Sequence, residues 1–187
     1  MPFYAVLHRV WKPGLGLALS AVSFVGLAGF SALLFEERGW QYASLVMTFF
    51  GAAYITARLL FAHAPDQYGG RKIALISLAI AGIGQACVFS AASPAWALVG
   101  AVLTGFGYSL TFPSFGVEAV KSVDPQYKGV ALGAYVAFFD LALAVISPLA
   151  GFIAGTMGYA MVYALGFASC AAAFLVALQI RSHRNIT

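Results

Sequence analysis

Long apolar runs separated by short polar stretches dominate the chain. A helix needs about 20 mostly apolar residues to cross a bilayer, and six runs meet that length. We place the six spans at residues 13–35, 40–63, 72–92, 95–117, 129–156 and 158–180. The pattern therefore predicts an all-α integral membrane protein of six transmembrane helices. Residues 1–12 are expected to form a cytoplasmic linker or interfacial segment, and residues 181–187 a cytoplasmic tail.

Helix-breaking residues set several of these boundaries. Pro13 is expected to begin the first span, because proline is tolerated at the first helical position. Pro65, followed by Gly69, predicts a sharp turn between the second and third spans. The segment 111–116 contains Pro113 and is expected to interrupt the fourth span near its end. The chain is therefore expected to reverse direction after Pro65 and to bend at Pro113.

The spans divide into two groups of three, at residues 13–92 and 95–180. Because each group has an odd number of spans, the second group starts from the opposite membrane face. The two groups are thus expected to be inverted repeats, a plan common in secondary transporters.

Composition argues against a soluble catalytic domain. Hydrophobic residues make up 62% of the chain and charged residues only 9%, whereas soluble domains have roughly 25% charged residues. The three histidines, His8, His63 and His183, lie at predicted membrane boundaries, and no hydrolase or zinc-protease motif is present. Cys87 and Cys170 lie inside apolar runs without metal-site spacing. Neither an enzyme nor a bound cofactor or metal is expected.

The basic residues indicate orientation. Short loops rich in Lys and Arg stay on the cytoplasmic side, and six spans place both termini on one side. Nine of the ten basic residues lie on or near that side, with only Arg38 opposite. Both termini are therefore expected in the cytoplasm. The net charge of +4 then reflects membrane topology, so the expected partner is a lipid bilayer and not a nucleic acid.

The segment 62–72 resembles the cytoplasmic loop motif of the major facilitator superfamily. That motif reads Gly, three residues, Asp, a basic residue, any residue, Gly and further basic residues. Four positions match it: Asp66, Gly69, Arg71 and Lys72. Three positions depart from it: Ala62, Gln67 and Gly70.

Other segments resemble the C-terminal half of bacterial permeases of the sugar-efflux-like and drug-efflux-like exporter groups. They are residues 10–16, Arg58, 65–66, 113–118, 128–129 and 138–140. The resemblance covers essentially the whole chain, although a full member has twelve spans. It implies half of a superfamily fold in the bacterial cytoplasmic (inner) membrane.

The same resemblance implies a secondary active transporter. Such a protein would export a small organic molecule by alternating access, driven by protons. A six-span chain would need an N-terminal six-helix half or a second copy as partner. The alternative is a non-transporting six-helix fragment or membrane scaffold that needs a partner half.

Asp140 is the outstanding polar residue inside a predicted span. It lies about 11 residues into the fifth span, or roughly 16 Å at 1.5 Å per residue, which is near the middle of a ~30 Å bilayer core. A charge at that depth is costly unless it faces protein or water. One hypothesis is that Asp140 takes up and releases the protons that drive export. The alternative is a role in helix packing or in contact with a partner half.

Charged residues at the cytoplasmic face form a second candidate group. In the family, the loop arginine pairs with an acid at the end of the fourth span of the same half, and the loop aspartate docks on a helix N-terminus across the halves. Carried over, this implies an ion pair between Arg71 and Glu118 that holds one gating state; the alternative is two solvated charges. The gating group comprises Asp66, Gly69, Arg71, Lys72, Glu118 and Arg58. For Arg58, the alternative is a side chain that snorkels to the interface.

Substrate contacts follow from the resemblance as well. In the family, the first and fourth spans of each half line a central cavity. The polar candidates are Ser20, Ser23, Tyr108, Ser109 and Thr111, with Tyr54 and Gln85 as further ones. Tyr108 is the foremost candidate because its small neighbours leave room beside the ring, although each residue has helix packing as its alternative. Pro113 and Pro148, near opposite ends of their helices, are the expected hinges for alternating access.

Overall fold

A computed structural model describes residues 3–180, and the tail predicted at 181–187 lies outside the described residues. The described residues form seven α-helices: α1 Phe3–Glu37, α2 Ser44–Phe61, α3 Ala64–Tyr68, α4 Gly70–Phe89, α5 Pro94–Lys121, α6 Lys128–Met157 and α7 Ala160–Leu178. A single 3₁₀ turn, Pro125–Tyr127, precedes α6. All helices except α3 are long and apolar enough to cross a membrane. The predicted all-α fold with six spans is therefore confirmed.

The contacts between helices repeat with an approximate two-fold relation. The first three spans are α1, α2 and α4, and the last three are α5, α6 and α7. In each triplet, the second and third spans pack on the first span of the other triplet: α2 and α4 on α5, and α6 and α7 on α1. The third spans, α4 and α7, also pack on each other, as do α1 and α5. This is the arrangement of two inverted three-helix repeats.

Burial differs sharply among the spans. About 56% of the apolar window of α4 and of α5 is buried inside the chain, against 17% for α2 and 6% for α6. The two poorly buried helices occupy equivalent positions in the two repeats. The second span of each repeat is thus held by one neighbour and left open on its other faces.

The start of α1 differs from the prediction. The helix begins at Phe3 and runs through Pro13, so Pro13 is not its first residue. Val6 and Val10 are buried in the same hydrophobic cluster as Ala177 of α7. Apolar packing of the segment before Pro13 therefore offsets the hydrogen bond that proline removes from the helix.

The expected interruption of the fourth span is absent. Pro113 does not interrupt it, because α5 is continuous from Pro94 to Lys121. The predicted turn after α2 contains the short helix α3, in which Asp66 lies. The reversal occurs at Gly69, whose φ of 91° favours glycine.

Close helix contacts also lie elsewhere than the glycine pattern of α6 indicates. We expect from their spacing that Gly129 with Gly133, and Gly151 with Gly155, bring helices together. A Cβ built on any of these four would meet nothing within 4 Å. The close approach is between α4 and α5, where a Cβ on Gly84 would lie 2.5 Å from the backbone nitrogen of Thr104.

Candidate functional site

A cavity of about 500 Å³ lies among α1, α2, α5 and α6. It is formed by the first span of each repeat together with the poorly buried second spans. Its lining residues are Phe24, Phe50, Gly51, Tyr54, Ile55, Tyr108, Phe112, Phe139 and Leu143. No charged residue is among the described residues that line it. We call it the aromatic cavity.

The rings of the aromatic cavity contact one another across three helices. Phe24 of α1 stacks on Tyr108 of α5, with ring centroids 5.6 Å apart and planes 7° apart. Phe50 and Tyr54 of α2 have centroids 6.2 Å apart, and Tyr54 lies 6.5 Å from Tyr108. Offset and tilted ring pairs of this kind are favourable. The wall can therefore contact flat apolar or cationic molecules, with two tyrosine hydroxyls as its polar groups.

Two of the seven predicted substrate residues, Tyr54 and Tyr108, line the aromatic cavity. Four of the remaining five donate hydrogen bonds to helix carbonyls within the bundle. Their bonds are Ser20 Oγ to Leu17 O at 2.7 Å, Ser23 Oγ to Ser20 O at 2.7 Å, Ser109 Oγ to Tyr54 O at 2.8 Å and Thr111 Oγ1 to Gly107 O at 3.2 Å. These four are fully or almost fully buried. Contrary to the prediction, they are packing residues in this structure.

Gln85, the fifth, is also fully buried and away from the cavity. Its Nε2 donates to the carbonyl of Ser23 and to Oγ1 of Thr104, both at 3.3 Å. It thereby links α4 to α1 and α5. The predicted cavity role of Gln85 is wrong for this conformation, because its amide nitrogen bonds to polar groups in the core.

Sequence reasoning missed the phenylalanines of the cavity: Phe24, Phe50, Phe112 and Phe139. A usable signal was present, because Phe50 is four residues before Tyr54, and Phe112 is four residues after Tyr108. Residues four apart share a helix face. A criterion of polar side chains alone does not identify these aromatic stripes.

Asp140 lies on α6, next in sequence to a residue of the aromatic cavity. Asp140 is exposed in this chain, and its neighbour Phe139 lines the cavity. It lies about 18 Å from the start of α6 at Lys128, at 1.5 Å per residue. Asp140 is thus placed at mid-helix on the most open span.

Glu118 and Arg71 are in contact, but not as the predicted ion pair. The backbone N–H of Arg71 donates to Oε1 of Glu118 at 3.0 Å, while the Arg71 guanidinium donates to the carbonyl of Leu178 at 2.9 Å. Glu118 is buried at the end of α5. The predicted pairing of the two side chains is therefore wrong. The Glu118 carboxylate instead accepts a hydrogen bond at the N-terminus of α4, where unpaired N–H groups favour an anion.

Arg58 and Pro113 both affect the hydrogen bonding of one backbone carbonyl. A proline removes the hydrogen bond to the residue four positions earlier, and that residue is Ser109. Nη1 of Arg58 donates to the Ser109 carbonyl at 3.0 Å. Arg58 thus does not merely snorkel, because it satisfies the carbonyl that Pro113 leaves free.

The other predicted residues are scattered. Asp66 and Lys72 are exposed, and Gly69 forms the turn between them. Pro148 lies inside α6, which remains continuous to Met157. The structure therefore brings Arg71 and Glu118 together and, separately, Tyr54 and Tyr108, but it does not unite the predicted residues into one site.

The comparisons with known proteins agree on one family. The sequence profile of the Major Facilitator Superfamily matches residues 13–186. An uncharacterized MFS-type transporter of Pseudomonas aeruginosa is 45% identical over 185 residues, covering 99% of this chain and 46% of the relative. One of Salmonella typhimurium is 44% identical, covering 98% of this chain and 47% of the relative. One of Burkholderia mallei is 46% identical over 179 residues, covering 96% of this chain and 44% of the relative.

A solved structure shares the fold. A crystal structure of the peptide transporter POT in complex with alafosfalin has a TM-score of 0.79 and 10% identity, covering 95% of this chain and 41% of that chain. The chain thus spans about half the length of the curated relatives and less than half of this structure.

These findings place the six spans in a multi-pass membrane protein. The named relatives are transporters, which confirms the prediction that the chain is not an enzyme. Two thirds or more of the chain matches the profile of one family. The chain therefore belongs to the Major Facilitator Superfamily.

Proposed function

We propose that this chain is one six-helix half of a secondary active transporter that exports a small organic molecule in exchange for protons. The observation that carries the proposal is the aromatic cavity, which lies between the two inverted repeats and is open beside α2 and α6. Ligand sites between inverted repeats near the bilayer midplane are typical of secondary transporters. An N-terminal six-helix half or a second copy of the chain would close the open side.

The substrate is proposed to be a flat, largely apolar molecule. Tyr54 and Tyr108 supply hydroxyls, while the surrounding rings supply stacking surface. This composition supports the drug-efflux-like group of exporters better than the sugar-efflux-like group, because sugars need many hydrogen-bonding partners.

Asp140 is the proposed proton carrier. It directly follows Phe139, which lines the cavity. Acidic residues within membrane spans face the bundle interior or water and often relay protons. A partner half placed over α6 would enclose Asp140 beside the cavity, where its protonation and substrate occupancy could oppose each other.

Gating is proposed to involve the turn between α2 and α4. Glu118 holds the N-terminus of α4 through the Arg71 N–H, and Arg58 ties α2 to α5 beside Pro113. Asp66 and Gly69 remain candidates for contact with the partner half. Pro113 and Pro148 are proposed hinges, because each removes one helix hydrogen bond.

The proposed location is the bacterial inner membrane with both termini in the cytoplasm. The basic residues near the start of α4 and the end of α5, among them Lys72 and Lys121, support this orientation. Residues 1–12 are proposed as the connection from the partner half, residues 13–180 as the transport half and residues 181–187 as a tail.

The test is Asp140→Asn in a twelve-span assembly in inside-out vesicles. A planar aromatic dye is the probe, and dye movement is measured with and without an imposed pH gradient. We expect Asp140→Asn to abolish the response to the gradient while dye binding is retained. The matched control is Ser147→Ala, which removes an exposed hydroxyl two turns along the same helix and should transport normally. Gradient-driven movement in the Asp140→Asn variant would contradict the proton role.

A second candidate is a non-transporting six-helix unit that only binds a partner half. The large exposed surface of α6 favours this reading, because such a surface suits a helix that contacts another protein. It predicts no dye movement in either variant, even when a stable twelve-span assembly is present.

A further inference from the structure

A second cavity, separate from the aromatic cavity, lies on the outer side of α4. It has a volume of about 350 Å³ and is formed by α2, α3, α4 and α5. None of its lining residues lines the aromatic cavity. We call it the outer groove.

The outer groove exists because α2 and α4 both pack on α5 but scarcely contact each other. The α5 residues between them include Phe106, Gly107 and Leu110. At one end the rings of Phe61 and Phe106 meet edge to face, with centroids 5.9 Å apart. The result is a cleft with an α5 floor and with α2 and α4 as walls.

The α4 wall is an apolar stripe that begins at a cation. Lys72, Ile76 and Ile80 are spaced four residues apart and therefore follow one face of the helix. The stripe extends about 12 Å from Lys72 to Ile80, at 1.5 Å per residue. Since α4 begins only two residues before Lys72, the groove runs from a membrane surface towards the bilayer interior.

The mouth of the groove is cationic. Nζ of Lys72 lies 5.8 Å from the ring centroid of Tyr68, a distance at which an ammonium group and a ring attract each other. Both residues are exposed. Among the described lining residues Lys72 is the only charged one, so no carboxylate of the groove neutralises it.

We propose that the outer groove binds an anionic phospholipid. The phosphate is held by Lys72 at the mouth, and one acyl chain lies along Ile76 and Ile80. Charge complementarity selects this occupant, because an ammonium group at the headgroup level attracts anionic lipids and the remainder of the groove is almost entirely apolar. The position of Lys72 at the start of a span matches the depth of a headgroup, and the stripe beyond it matches the depth of a chain.

The experiment uses the full chain in phosphatidylcholine vesicles with a trace of photoactivatable lipid. The probe is phosphatidylglycerol with a diazirine on one acyl chain, and the control probe has the same chain on a phosphatidylcholine headgroup. Cross-linked peptides are identified by mass spectrometry. We expect the phosphatidylglycerol probe to label residues 72–80 and 106–110 about five-fold more than the control probe does.

Three variants identify the source of the preference. Lys72→Gln should reduce the five-fold preference to none, whereas Lys72→Arg keeps the charge and should keep the preference. Lys121→Gln removes another exposed lysine at the same membrane face, at the end of α5, and should have no effect. These conservative changes at exposed positions leave the fold intact.

The proposal is overturned by any of three results. Equal labelling by both probes in the native chain would indicate nonselective contact with bulk lipid. A preference that survives Lys72→Gln would place the headgroup elsewhere. No labelling of residues 72–80 by either probe in the native chain would show that lipid does not enter the groove.

Discussion

At the residue scale, Glu118 shows how a single carboxylate joins two helices. It is buried at the end of α5 and accepts a hydrogen bond from the backbone N–H of Arg71 at 3.0 Å. That N–H is among the first four of α4, which have no partner within the helix. The same carboxylate also lies at the positive end of the α4 dipole. Glu118 therefore fixes where α4 starts relative to α5.

Glu118→Ala should lower the free energy of unfolding by about 1–3 kcal/mol, because a partly buried N–H loses its acceptor. Glu118→Gln keeps an acceptor oxygen and should cost less. The measurement is unfolding of the chain in mild detergent by titration with a denaturing detergent. Lys121→Ala, an exposed change three residues later in the chain, is the control and should have little effect. An alanine variant at position 118 as stable as the native chain would remove this role.

The aromatic cavity should make Tyr108 more accessible to water than its neighbour Ser109. Tyr108 lines the cavity, whereas Ser109 is fully buried. In a chain with Cys87→Ala and Cys170→Ala, a small water-soluble thiol reagent should label Tyr108→Cys but not Ser109→Cys. The measurement is the rate of labelling by mass shift. Equal labelling rates at the two positions would contradict the difference in water access between Tyr108 and Ser109.

At the element scale, α5 remains one helix because α2 compensates for its proline. Pro113 leaves the Ser109 carbonyl without its usual partner, and Arg58 donates to that carbonyl at 3.0 Å. The hydroxyl of Ser109 donates in turn to the carbonyl of Tyr54 at 2.8 Å. Two hydrogen bonds thus join the helices at the proposed hinge.

Arg58→Ala should therefore destabilise the chain by about 1 kcal/mol more when Pro113 is present than in the Pro113→Ala background. In that background the alanine N–H supplies the missing helix hydrogen bond. A double-mutant cycle on the unfolding free energy measures the coupling. Thr56→Ala is the matched control on α2, because Thr56 bonds only to its own helix; its cycle with Pro113→Ala should show no coupling. Additive effects of Arg58→Ala and Pro113→Ala would contradict the compensation.

The helices themselves were predictable from apolar length, but the effect of proline was not. Pro13 is predicted to begin a helix and Pro113 to interrupt one, yet both lie inside continuous helices. In each case a tertiary contact stabilises the helix around its proline. Val6 and Val10 are buried before Pro13, and Arg58 donates a hydrogen bond beside Pro113. Local sequence carries no information about those partners.

At the scale of the whole molecule, the fold follows from local sequence, whereas the candidate site depends on tertiary contacts. Six spans in two triplets follow from length and spacing alone. The cavity depends on which faces of α1, α2, α5 and α6 converge. Polar residues such as Ser23 and Gln85 look like ligand contacts in sequence, but the Ser23 hydroxyl donates to a carbonyl of its own helix and the Gln85 amide donates to a carbonyl of a neighbouring helix. The candidate site is aromatic: it pairs Tyr108, which the sequence predicts, with Phe24, which it does not.

One side of the molecule, formed by α2 and α6, is left open. α2 and α6 border the aromatic cavity and have only 17% and 6% of their apolar windows buried. The chain also spans 46% of the length of its Pseudomonas aeruginosa relative. The central claim is that a second six-helix unit covers this side and completes the cavity.

The most direct measurement is the polypeptide mass of the chain in detergent after co-production with the part of the Pseudomonas aeruginosa relative that the chain does not match. Light scattering combined with absorbance separates protein mass from bound detergent. We predict a one-to-one complex in which the 19.6 kDa chain is joined to that part. A chain that stays alone at 19.6 kDa, with its partner recovered separately, would contradict the claim that the open side is built to meet a second half.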